Sequence, residues 1–268
     1  MQSSQTYPSD LADEQWNLIK SFLPAAKKTG RPPRPRRIIV NAIFYVVRSG
    51  CAWRMLPNSF PPWQTVYGCY RRWRLQGRWQ AIHHRLRQQV RMHQSRLPRP
   101  SAAILDSQTV KAADHGGERG YDAGKKINGR KRHGLVDTLG LILTVVVTAA
   151  HEQDRAGAKS VLAVLAHQFS RLRHVWADGG YTGPLIEWLW HLRSHRRVRL
   201  EIVKRSEGQK EFAVLPRRWV VERTFGWLVK WRRLRCDYER HTVNSETMIY
   251  IAMIGLMLRR LRYPITTK

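Results

Sequence analysis

Acidic residues are missing from one long stretch of this sequence. Between Glu14 and Asp106 there is no Asp or Glu over 91 residues, and the same stretch carries 18 Lys and Arg. Over the whole chain, 48 Lys and Arg face 19 Asp and Glu, which gives a formal net charge of +29. Both halves of the chain are basic, so acidic residues elsewhere in the sequence do not balance the positive charge. The pattern favours a nucleic-acid partner, whose condensed cations are released on binding, over a plain basic surface.

Long apolar runs and paired cysteines are missing too. The longest apolar stretch, residues 248–258, has 11 residues, whereas crossing a bilayer takes about 20, and the N-terminus lacks the apolar core of a signal peptide.

The three cysteines are widely spaced, which favours free thiols in a reducing compartment. His191 and His195 have a spacing that zinc ligands use, but their basic surroundings favour surface or phosphate-facing roles. We expect a soluble protein of the cytoplasm.

The first hundred residues are predicted to be helical. The apolar spacing indicates helices over residues 9–23, with Ser9 as N-cap, over residues 36–49, from Pro61 onward and over residues 79–96. Residues 27–37 are basic and broken by prolines, so they form an extended arm that suits DNA, or a linker. We interpret the segment after Pro61 as the recognition helix of a helix-turn-helix, with an ordinary helical bundle as the alternative.

The predicted DNA contacts of this first domain lie in the arm and on the polar face of the recognition helix. They are Arg31, Arg34, Arg36, Arg37, Gln64, Arg71, Arg72, Arg74 and Arg78. Residues 97–100 (LPRP) read as a linker. The sequence therefore predicts an all-α DNA-binding domain over residues 1–97 and a second domain over residues 98–268.

The second domain mixes strands and helices. The predicted strands are residues 102–105, 132–137, 141–148, 174–177 and 199–203, the second and third of which form a hairpin. The predicted helices are residues 156–169, 184–195 and 216–235, followed by a terminal helix that Asn244 or Ser245 caps and that ends at Leu261. This order indicates an α/β layer fold.

Three carboxylates are candidates for chemistry. Asp106 and Asp178 each follow a predicted strand and enter a turn, and Glu222 lies inside a largely apolar helix. Three carboxylates are enough to hold two Mg²⁺ ions for phosphodiester chemistry. The two aspartates could equally be turn formers, and Glu222 could pair with Arg218 one helical turn away. Asp137, at the end of another strand, is a possible fourth acid.

Five segments carry a family resemblance. Residues 106–111 (DSQTVK), 176–181 (WADGGY) and 217–228 (RRWVVERTFGWL) resemble the three acidic motifs of DDE transposases of bacterial insertion sequences, in the insertion-sequence family 5 group. Residues 11–16 (LADEQW) and 48–57 (RSGCAWRMLP) resemble the same group. The motifs occur in the family's order and cover nearly the whole chain.

The resemblance implies a ribonuclease-H-like catalytic domain with a mixed central sheet flanked by helices. Asp106 would lie on its first strand, Asp178 on its fourth and Glu222 on its last long helix. These three residues would be catalytic and would hold two Mg²⁺ ions, for which Mn²⁺ can substitute. Residues 179–221 leave no room for the large insertion domain of some relatives.

Related transposases surround the glutamate with a Y-x₂-R-x₃-E-x₆-K pattern. Arg218 and Glu222 fit it, but Leu215 stands at the Tyr position and Val229 at the Lys position. The resemblance implies that Arg218 contacts a DNA phosphate or orients Glu222. Substitute positive charge would come from three neighbours in the sequence, Lys230, Arg232 and Arg233.

A basic, glycine-rich stretch at residues 120–133 lies between the first two acids. Glycines let backbone amides approach phosphate and the cations add attraction, so we predict a DNA-positioning loop rather than a solvated turn. The predicted contacts in and beside this loop are Lys111, Lys125, Lys126, Arg130, Lys131 and Arg132.

These features together predict a transposase. It would bind the terminal inverted repeats of its element and target DNA, both double-stranded, as a homodimer when bound, with no membrane and no small-molecule substrate. It would cut a strand with Mg²⁺ and join the freed 3′-hydroxyl to target DNA. Two alternatives stay open: a catalytically inactive, transposase-derived DNA-binding regulator, and a metal-dependent nuclease without strand transfer.

Overall fold

The computed structural model describes residues 7–24, 34–113, 117–163, 168–191, 198–203 and 217–262. The chain forms two compact units. Unit 1 comprises Met1–Arg96, Val229–Leu234 and Thr247–Lys268, and unit 2 comprises Leu97–Leu228 and Arg235–Glu246. The sequence pattern assigned all residues after 97 to one domain, whereas two late segments cluster with unit 1.

Unit 1 begins with four helices. They are α1 (Asp13–Ile19), α2 (Arg36–Ser49), α3 (Trp63–Leu75) and α4 (Arg78–His93), with short 3₁₀ turns at Lys20–Phe22 and Trp53–Met55. The predicted cap at Ser9 is wrong, because α1 starts after Ala12, whose N–H donates to Gln15 Oε1 at 3.0 Å. Gly50 ends α2 in the left-handed conformation, with a φ of 77°, and the sequence placed the end of that helix correctly.

The apolar spacing of α2 and α3 explains how they pack. In α2, Ile39, Val40, Ile43 and Val47 share one face and are buried, while the buried positions of α3 are Val66, Tyr70 and Trp73. Helices α2 and α3 contact each other, and α3 contacts α4. A helix-turn-helix remains a prediction for this helical arrangement.

Unit 2 is built on a mixed sheet. Its strands are β1 (Ala102–Lys111), β2 (Gly120–Asp122), β3 (Ile127–Asp137), β4 (Ile142–Ala149), β5 (His174–Ala177) and β6 (Arg199–Ile202). The order is β2-β3-β1-β5-β6, with β4 also paired to β3. Strands β1, β3 and β4 form an antiparallel meander, and β5 and β6 continue the sheet in parallel with β1. The predicted α/β class and the predicted β3–β4 hairpin are confirmed.

Strand β1 is longer than the sequence indicated. Its apolar beginning was predicted, but Asp106 was expected to end it, and that expectation is wrong. The backbone of β3 pairs with β1 from Ala103 to Lys111, so the polar residues after Leu105 stay in the sheet. Asp106 therefore lies in the middle of a strand, where the backbone holds its side chain on one face.

The two faces of the sheet carry different layers. Ala103 and Leu105 of β1 belong to a buried cluster with residues of α5 (Asp154–Ala163) and α6 (Pro184–His191). Successive strand residues alternate between faces, so Asp106 lies on the opposite face. Its partner on β3 is Gly134, and a Cβ there would meet Phe225 of α7 (Trp219–Val229) at 3.4 Å. Helix α7 thus covers the face that carries Asp106.

Helix α8 (Thr242–Arg262) begins in unit 2 and ends in unit 1. It starts two residues before the predicted caps, which therefore lie inside it. In unit 1, its Gly255 leaves room for the ring of Trp231, which also lies near Phe44, and its Tyr250 meets His83 of α4 edge to face. Helix α8, the last described segment, therefore contributes side chains to the core of unit 1.

Two further observations concern the whole chain. Cys51, Cys69 and Cys236 are free thiols. Within the described ranges, no helix has both the length and the apolar character needed to cross a membrane.

Candidate active site

Three different elements bring the candidate acids to one region of unit 2. Asp106 lies on β1, Asp178 directly follows β5, and Glu222 lies on α7. Strands β1 and β5 run parallel with Ile104 opposite Trp176, so Asp106 and Asp178 each lie two residues beyond this pair. The position of Asp178 after a strand and of Glu222 within a helix agrees with the sequence prediction.

The pKa of Asp106 is affected by its burial and by the charges around it. Burial is the main reason that the pKa of Asp106 is raised to about 6, and the negative charges of Asp178 and Glu222 raise it further. The Ser107 N–H, which donates to Asp106 Oδ1 at 2.7 Å, and the charge of Arg218 lower this pKa. The three carboxylates therefore form one electrostatically coupled group.

Arg218 lies between two of these carboxylates. Its Nη2 atom is 3.5 Å from Asp178 Oδ2 and 3.7 Å from Glu222 Oε1. Side-chain exposure rises from 19% for Arg218 to 32% for Asp178 and 57% for Glu222. Pairs this long and this accessible to water contribute little to stability, so the arginine balances charge more than it locks the fold.

The carboxylates fit a divalent cation by their chemistry. Hard cations such as Mg²⁺ prefer carboxylate oxygens. Across the described ranges, no cluster of three or more His, Cys, Asp or Glu side chains is close enough to hold a metal ion in this structure.

Asp178 is held by the turn that follows it. Its Oδ1 atom accepts from the Gly180 N–H at 2.9 Å and starts a short 3₁₀ turn over Gly179–Tyr181. The predicted turn-forming role of Asp178 is therefore real and coexists with its place beside Asp106. One carboxylate oxygen fixes the backbone, and the other faces Arg218.

A polar cluster lies behind the acids, on the other face of the sheet. Ser107 Oγ donates to Asp154 Oδ1 at 2.8 Å, and Lys131 Nζ lies 3.2 Å from the same carboxylate oxygen. Lys131 also lies 3.9 Å from Asp122 Oδ2. The sequence analysis missed this cluster, because its members come from four elements and share no spacing along the chain.

Aromatic and cationic side chains alternate along α7. Trp219, Arg223 and Trp227 follow one another at four-residue intervals, and the Arg223 guanidinium carbon lies 4.3 Å and 4.7 Å from the centroids of the two rings. We call these three residues the α7 stack. Just before it, Arg217 lies 4.1 Å from the centroid of Trp176 on β5. The sequence analysis did not identify the four-residue spacing of the α7 stack.

Two ranges of the chain match families of known proteins. Residues 97–257 match a family model described as Transposase DDE domain, and residues 11–83 match one described as a transposase of IS4/5 family. The chain belongs to the IS4/5 family of DDE transposases. The family that the sequence motifs resembled is confirmed.

Curated relatives agree with this assignment. A protein named as transposase for insertion sequence element IS402 of Burkholderia cepacia is 30% identical over 120 residues, which is 42% of this chain and 54% of the relative. A 16.2 kDa protein of the same element is 31% identical over 116 residues, 40% of this chain and 77% of that relative. An uncharacterized protein of Sinorhizobium fredii is 38% identical over 64 residues, 24% of this chain and 51% of the relative. The chain thus spans about half the length of the Sinorhizobium relative and of the IS402 transposase.

Several of the predicted DNA contacts need correction. Arg130, Lys131 and Arg132 are buried in β3, and Arg233 is buried in unit 1. Arg130 donates to Asp237, Ser245 and the carbonyl oxygens of residues 118, 239 and 240. Arg132 donates to Gln108 at 3.3 Å. Arg233 donates to the Cys51 carbonyl at 2.8 Å. These four side chains are buried and have internal hydrogen-bond acceptors, which argues against the predicted DNA contacts. The stretch at 120–133 contains β2 and the first half of β3 and is therefore largely part of the sheet.

Other predicted contacts lie at the surface. The exposed ones are Arg34, Gln64, Arg71, Arg72, Lys111, Lys125, Lys126, Lys230 and Arg232, and the half-buried ones are Arg36, Arg37, Arg74, Arg78 and Arg218. Arg37 forms an ion pair with Asp13. Arg31, Leu215 and His195 lie outside the described residues. Exposure makes DNA contact possible for the first group, and the contacts themselves remain predictions.

Asp137 has a structural position. It is fully buried, and its Oδ1 atom accepts from the N–H groups of Leu139 and Leu141, each at 2.9 Å. These bonds hold the turn between β3 and β4. The residue therefore acts as a turn-forming acid.

Proposed function

We propose that the protein is a transposase that binds the terminal inverted repeats of its element, cuts a DNA strand and joins the new 3′-end to target DNA. The observation that supports this most is the meeting of three acids from separate elements: β1 and β5 run in parallel up to Asp106 and Asp178, and Arg218 lies 3.5 Å from Asp178 and 3.7 Å from Glu222. The mixed sheet, with Asp106 at the centre of its first strand and Glu222 on a covering helix, supports a ribonuclease-H-like catalytic fold.

The three acids have one task in this proposal. Asp106, Asp178 and Glu222 would hold two Mg²⁺ ions. When bound, such ions lower the pKa of an attacking water or 3′-hydroxyl and offset the charge that develops on the phosphoryl oxygens. The rigid backbone of β1 and the turn after Asp178 fix two of these carboxylates before any ligand arrives, which reduces the cost of ordering them.

Arg218 is a positioning residue in the same proposal. Its guanidinium lies near both Asp178 and Glu222. The planar fork of the guanidinium would be suited to donating two parallel hydrogen bonds to a DNA phosphate. The carboxylates and the arginine would then bind opposite parts of the same substrate.

Unit 1 would bind the DNA ends. Its first 96 residues carry the acid-free basic stretch, and Arg71 and Arg72 of α3 are exposed on the side away from the buried Val66 and Tyr70. Phosphate contacts from such arginines position a protein on duplex DNA. Pairing of two element ends would require two copies of the chain, so we propose a homodimer on DNA.

The decisive experiment compares carboxylate-to-amide variants. Asp106→Asn, Asp178→Asn and Glu222→Gln should each reduce Mg²⁺-dependent nicking of duplexes carrying the element's ends by at least about a thousandfold, because each removes a metal ligand. Binding to the same duplexes should persist. Glu187→Gln, which makes the same change at an exposed position of α6, should cut like the wild type.

The same assay separates the alternatives. A DNA-binding regulator would bind the ends without nicking under any metal condition. A nuclease would nick but would fail to join pre-cut 3′-ends to target DNA. Unchanged cutting by Asp106→Asn would contradict the assignment of the site itself.

A further inference from the structure

A buried tryptophan supports two cationic side chains at the surface of unit 1. Trp231 is 4% exposed, and its ring lies against Gly255 of α8, where a Cβ would come within 2.4 Å of it. The ring centroid of Phe44 lies 6.4 Å from that of Trp231. Close packing against these two residues holds the indole in place, so the side chains that rest on it have a rigid support.

The two cations on this ring are Arg48 of α2 and Arg259 of α8. Their guanidinium carbons lie 5.5 Å and 5.4 Å from the ring centroid. Arg48 Nη1 donates to the Lys230 carbonyl at 2.9 Å, which fixes one branch of its planar fork. In the described part of the chain, the other donors of Arg48 and all donors of Arg259 have no acceptor. Both side chains are exposed, so these donors can reach a ligand.

The two guanidinium groups repel each other. Burial lowers the pKa of Arg259, and the positive charge of Arg48 lowers it further. Among the described residues, no carboxylate lies within ion-pair distance of either arginine. Contact between one cation and the ring is favourable, but a second cation adds repulsion that an anion beside both would offset.

A cavity lies beside both arginines. It has a volume of about 230 Å³, and Arg48, Arg259 and Arg262 line it together with the buried indole. Among the described lining residues one is acidic, Asp10, whose Oδ2 accepts from the Tyr7 N–H at 3.1 Å and so holds a turn of the backbone. The lining therefore has a net positive charge.

A second cavity continues the first. It has a volume of about 320 Å³, shares Pro8, Ser9 and Arg48 with the first, and adds the exposed cations Lys230 and Arg232. No acid is among the described residues that line it. We call the two cavities together the Arg48 groove, and both of its parts contain cations.

The extent of this charge selects the kind of ligand. A single small anion would occupy one cavity and leave the cations of the other without a partner. A polyanion reaches both, and duplex DNA carries one phosphate charge per about 1.7 Å of its length. The planar fork of arginine is suited to phosphate, to which it donates two parallel hydrogen bonds.

We propose that the Arg48 groove binds backbone phosphates of DNA. The inference rests on the proposed function, because it takes DNA as the polymer that unit 1 holds. It adds to α3 a second DNA-binding surface, formed by residues from both the early and the late segments of unit 1. Phosphate contacts carry no sequence information, so the groove positions a duplex without reading its bases.

The test measures binding of the full chain to duplex DNA without divalent metal, by fluorescence anisotropy over a salt series. The double variant Arg48→Gln/Arg259→Gln removes both charges that rest on Trp231. At low salt its affinity for the element's end should be about tenfold lower than that of the wild type. The slope of log affinity against log salt concentration should be smaller by about 1–2. A duplex of scrambled sequence should lose affinity by the same factor.

Matched variants separate the groove from charge in general. Arg85→Gln/Arg96→Gln removes two exposed cations of unit 1 that lie outside the groove and outside the predicted contacts, and its affinity should be nearly unchanged. Arg48→Lys/Arg259→Lys keeps the charge and should keep the salt slope. Arg259→Gln alone leaves the bond between Arg48 and Lys230 intact and should give about half the change in slope, which provides the test if the double variant folds poorly.

Single neutral phosphates show where the groove binds. In a series of duplexes, a methylphosphonate replaces one phosphate at a time. At the phosphates that the groove contacts, the wild type should lose affinity, whereas the double variant should lose none, because either change removes the same interaction.

Two outcomes would overturn the inference: an unchanged salt slope in both the double variant and Arg259→Gln, or identical methylphosphonate profiles for the wild type and the double variant. Inorganic pyrophosphate that binds the wild type but not the double variant, with DNA affinity unchanged, would identify a site for a small anion and would also overturn it. Failure of the proposed function looks different, because the wild type would then lack Mg²⁺-dependent nicking whatever the affinities of the variants.

Discussion

All three guanidinium nitrogens of Arg130 donate hydrogen bonds inside unit 2. Nε reaches the Glu118 carbonyl at 2.8 Å, Nη1 reaches Asp237 Oδ1 at 3.0 Å, and Nη2 reaches the Arg240 carbonyl at 2.9 Å. One side chain thus connects β3 to Glu118, 12 residues earlier, and to Asp237 and Arg240, more than 100 residues later. In a run of basic residues it looks like a DNA contact, because sequence alone does not show which cations have buried partners.

Replacement of Arg130 tests this structural role. Arg130→Met keeps the length but leaves the Asp237 carboxylate buried and unpaired, so the free energy of unfolding should fall by about 3–5 kcal/mol. Urea denaturation measures it. Lys126→Met, at an exposed neighbouring position, should change stability by less than about 0.5 kcal/mol. Equal effects at the two positions would contradict an internal role for Arg130.

His133 gives the fold a dependence on pH. Burial lowers the pKa of His133 from 6.5 to about 4, so the folded protein keeps the imidazole neutral. The stabilisation from this depressed pKa is present above the unfolded value of about 6.5 and is lost as the pH falls towards 4. Between pH 7 and pH 5, His133 by itself should lower the free energy of unfolding by about 2 kcal/mol, whereas the raised pKa of Asp106 acts in the opposite direction over the same interval.

The variant His133→Gln supplies the comparison. It cannot titrate in this range, so the loss of stability between pH 7 and pH 5 should be smaller by that amount, as measured by urea denaturation at both pH values. A wild-type protein and a variant with parallel pH profiles would show that His133 titrates normally in the folded state.

At the scale of elements, glycine has opposite effects in two helices. In α5, a Cβ at Gly157 would overlap the buried ring of His133, whereas in α7 a Cβ at Gly226 meets nothing described within 4 Å beyond its own helix backbone. The missing side chain lets α5 lie close to the sheet. At Gly226 it keeps the helix surface beside Glu222 clear.

Alanine at these two positions should shift stability in opposite directions. Gly226→Ala should raise the free energy of unfolding by up to about 1 kcal/mol, because alanine is the better helix former. Gly157→Ala should lower it by about 1–3 kcal/mol, because overlap with His133 exceeds that gain. Thermal unfolding measures both. Stabilisation by Gly157→Ala would mean that α5 can move away from the sheet freely.

The elements that the sequence predicted best are those whose pattern is local. The β3–β4 hairpin and strand β5 followed from short apolar runs next to turn residues, and α2 from its apolar stripe and its final Gly50. The extent of β1 did not, because its polar half is a strand only through pairing with β3, a contact between distant segments. Capping at Ser9 failed for a local reason, since the helix begins after Ala12 and Gln15 supplies the capping bond.

At the scale of the whole molecule, charge should control DNA affinity. Each Lys or Arg contact with a phosphate adds about 0.9 to the slope of log affinity against log salt concentration. The double variant Arg71→Ser/Arg72→Ser should therefore reduce that slope by roughly 1–2 for binding to duplex DNA. The matched pair Arg155→Ser/Lys159→Ser, exposed on α5, removes the same charge outside the predicted contacts and should leave the slope nearly unchanged, as fluorescence anisotropy over a salt series would show.

The sequence indicated the three acids of the candidate site but not the side chains that lie around them. Asp106, Asp178 and Glu222 stood out because they resembled motifs in order along the chain. The link between Arg218 and Asp178 joins residues 40 positions apart, and the cluster of Ser107, Asp154 and Lys131 depends on how α5 meets the sheet. Such contacts follow from tertiary packing, which periodicity along one segment does not contain.

Unit 1 consists of segments that lie before and after most of unit 2 in the sequence, so it cannot fold completely before most of the chain has been synthesised. Phe44 of α2 lies near Trp231, and His83 of α4 meets Tyr250 of α8. Both partners come from segments of unit 1 that follow nearly all of unit 2 in the sequence. A nascent chain that has emerged only as far as residue 96 therefore lacks side chains that belong to the interior of unit 1. The core of unit 1 can be completed only after synthesis has passed residue 250.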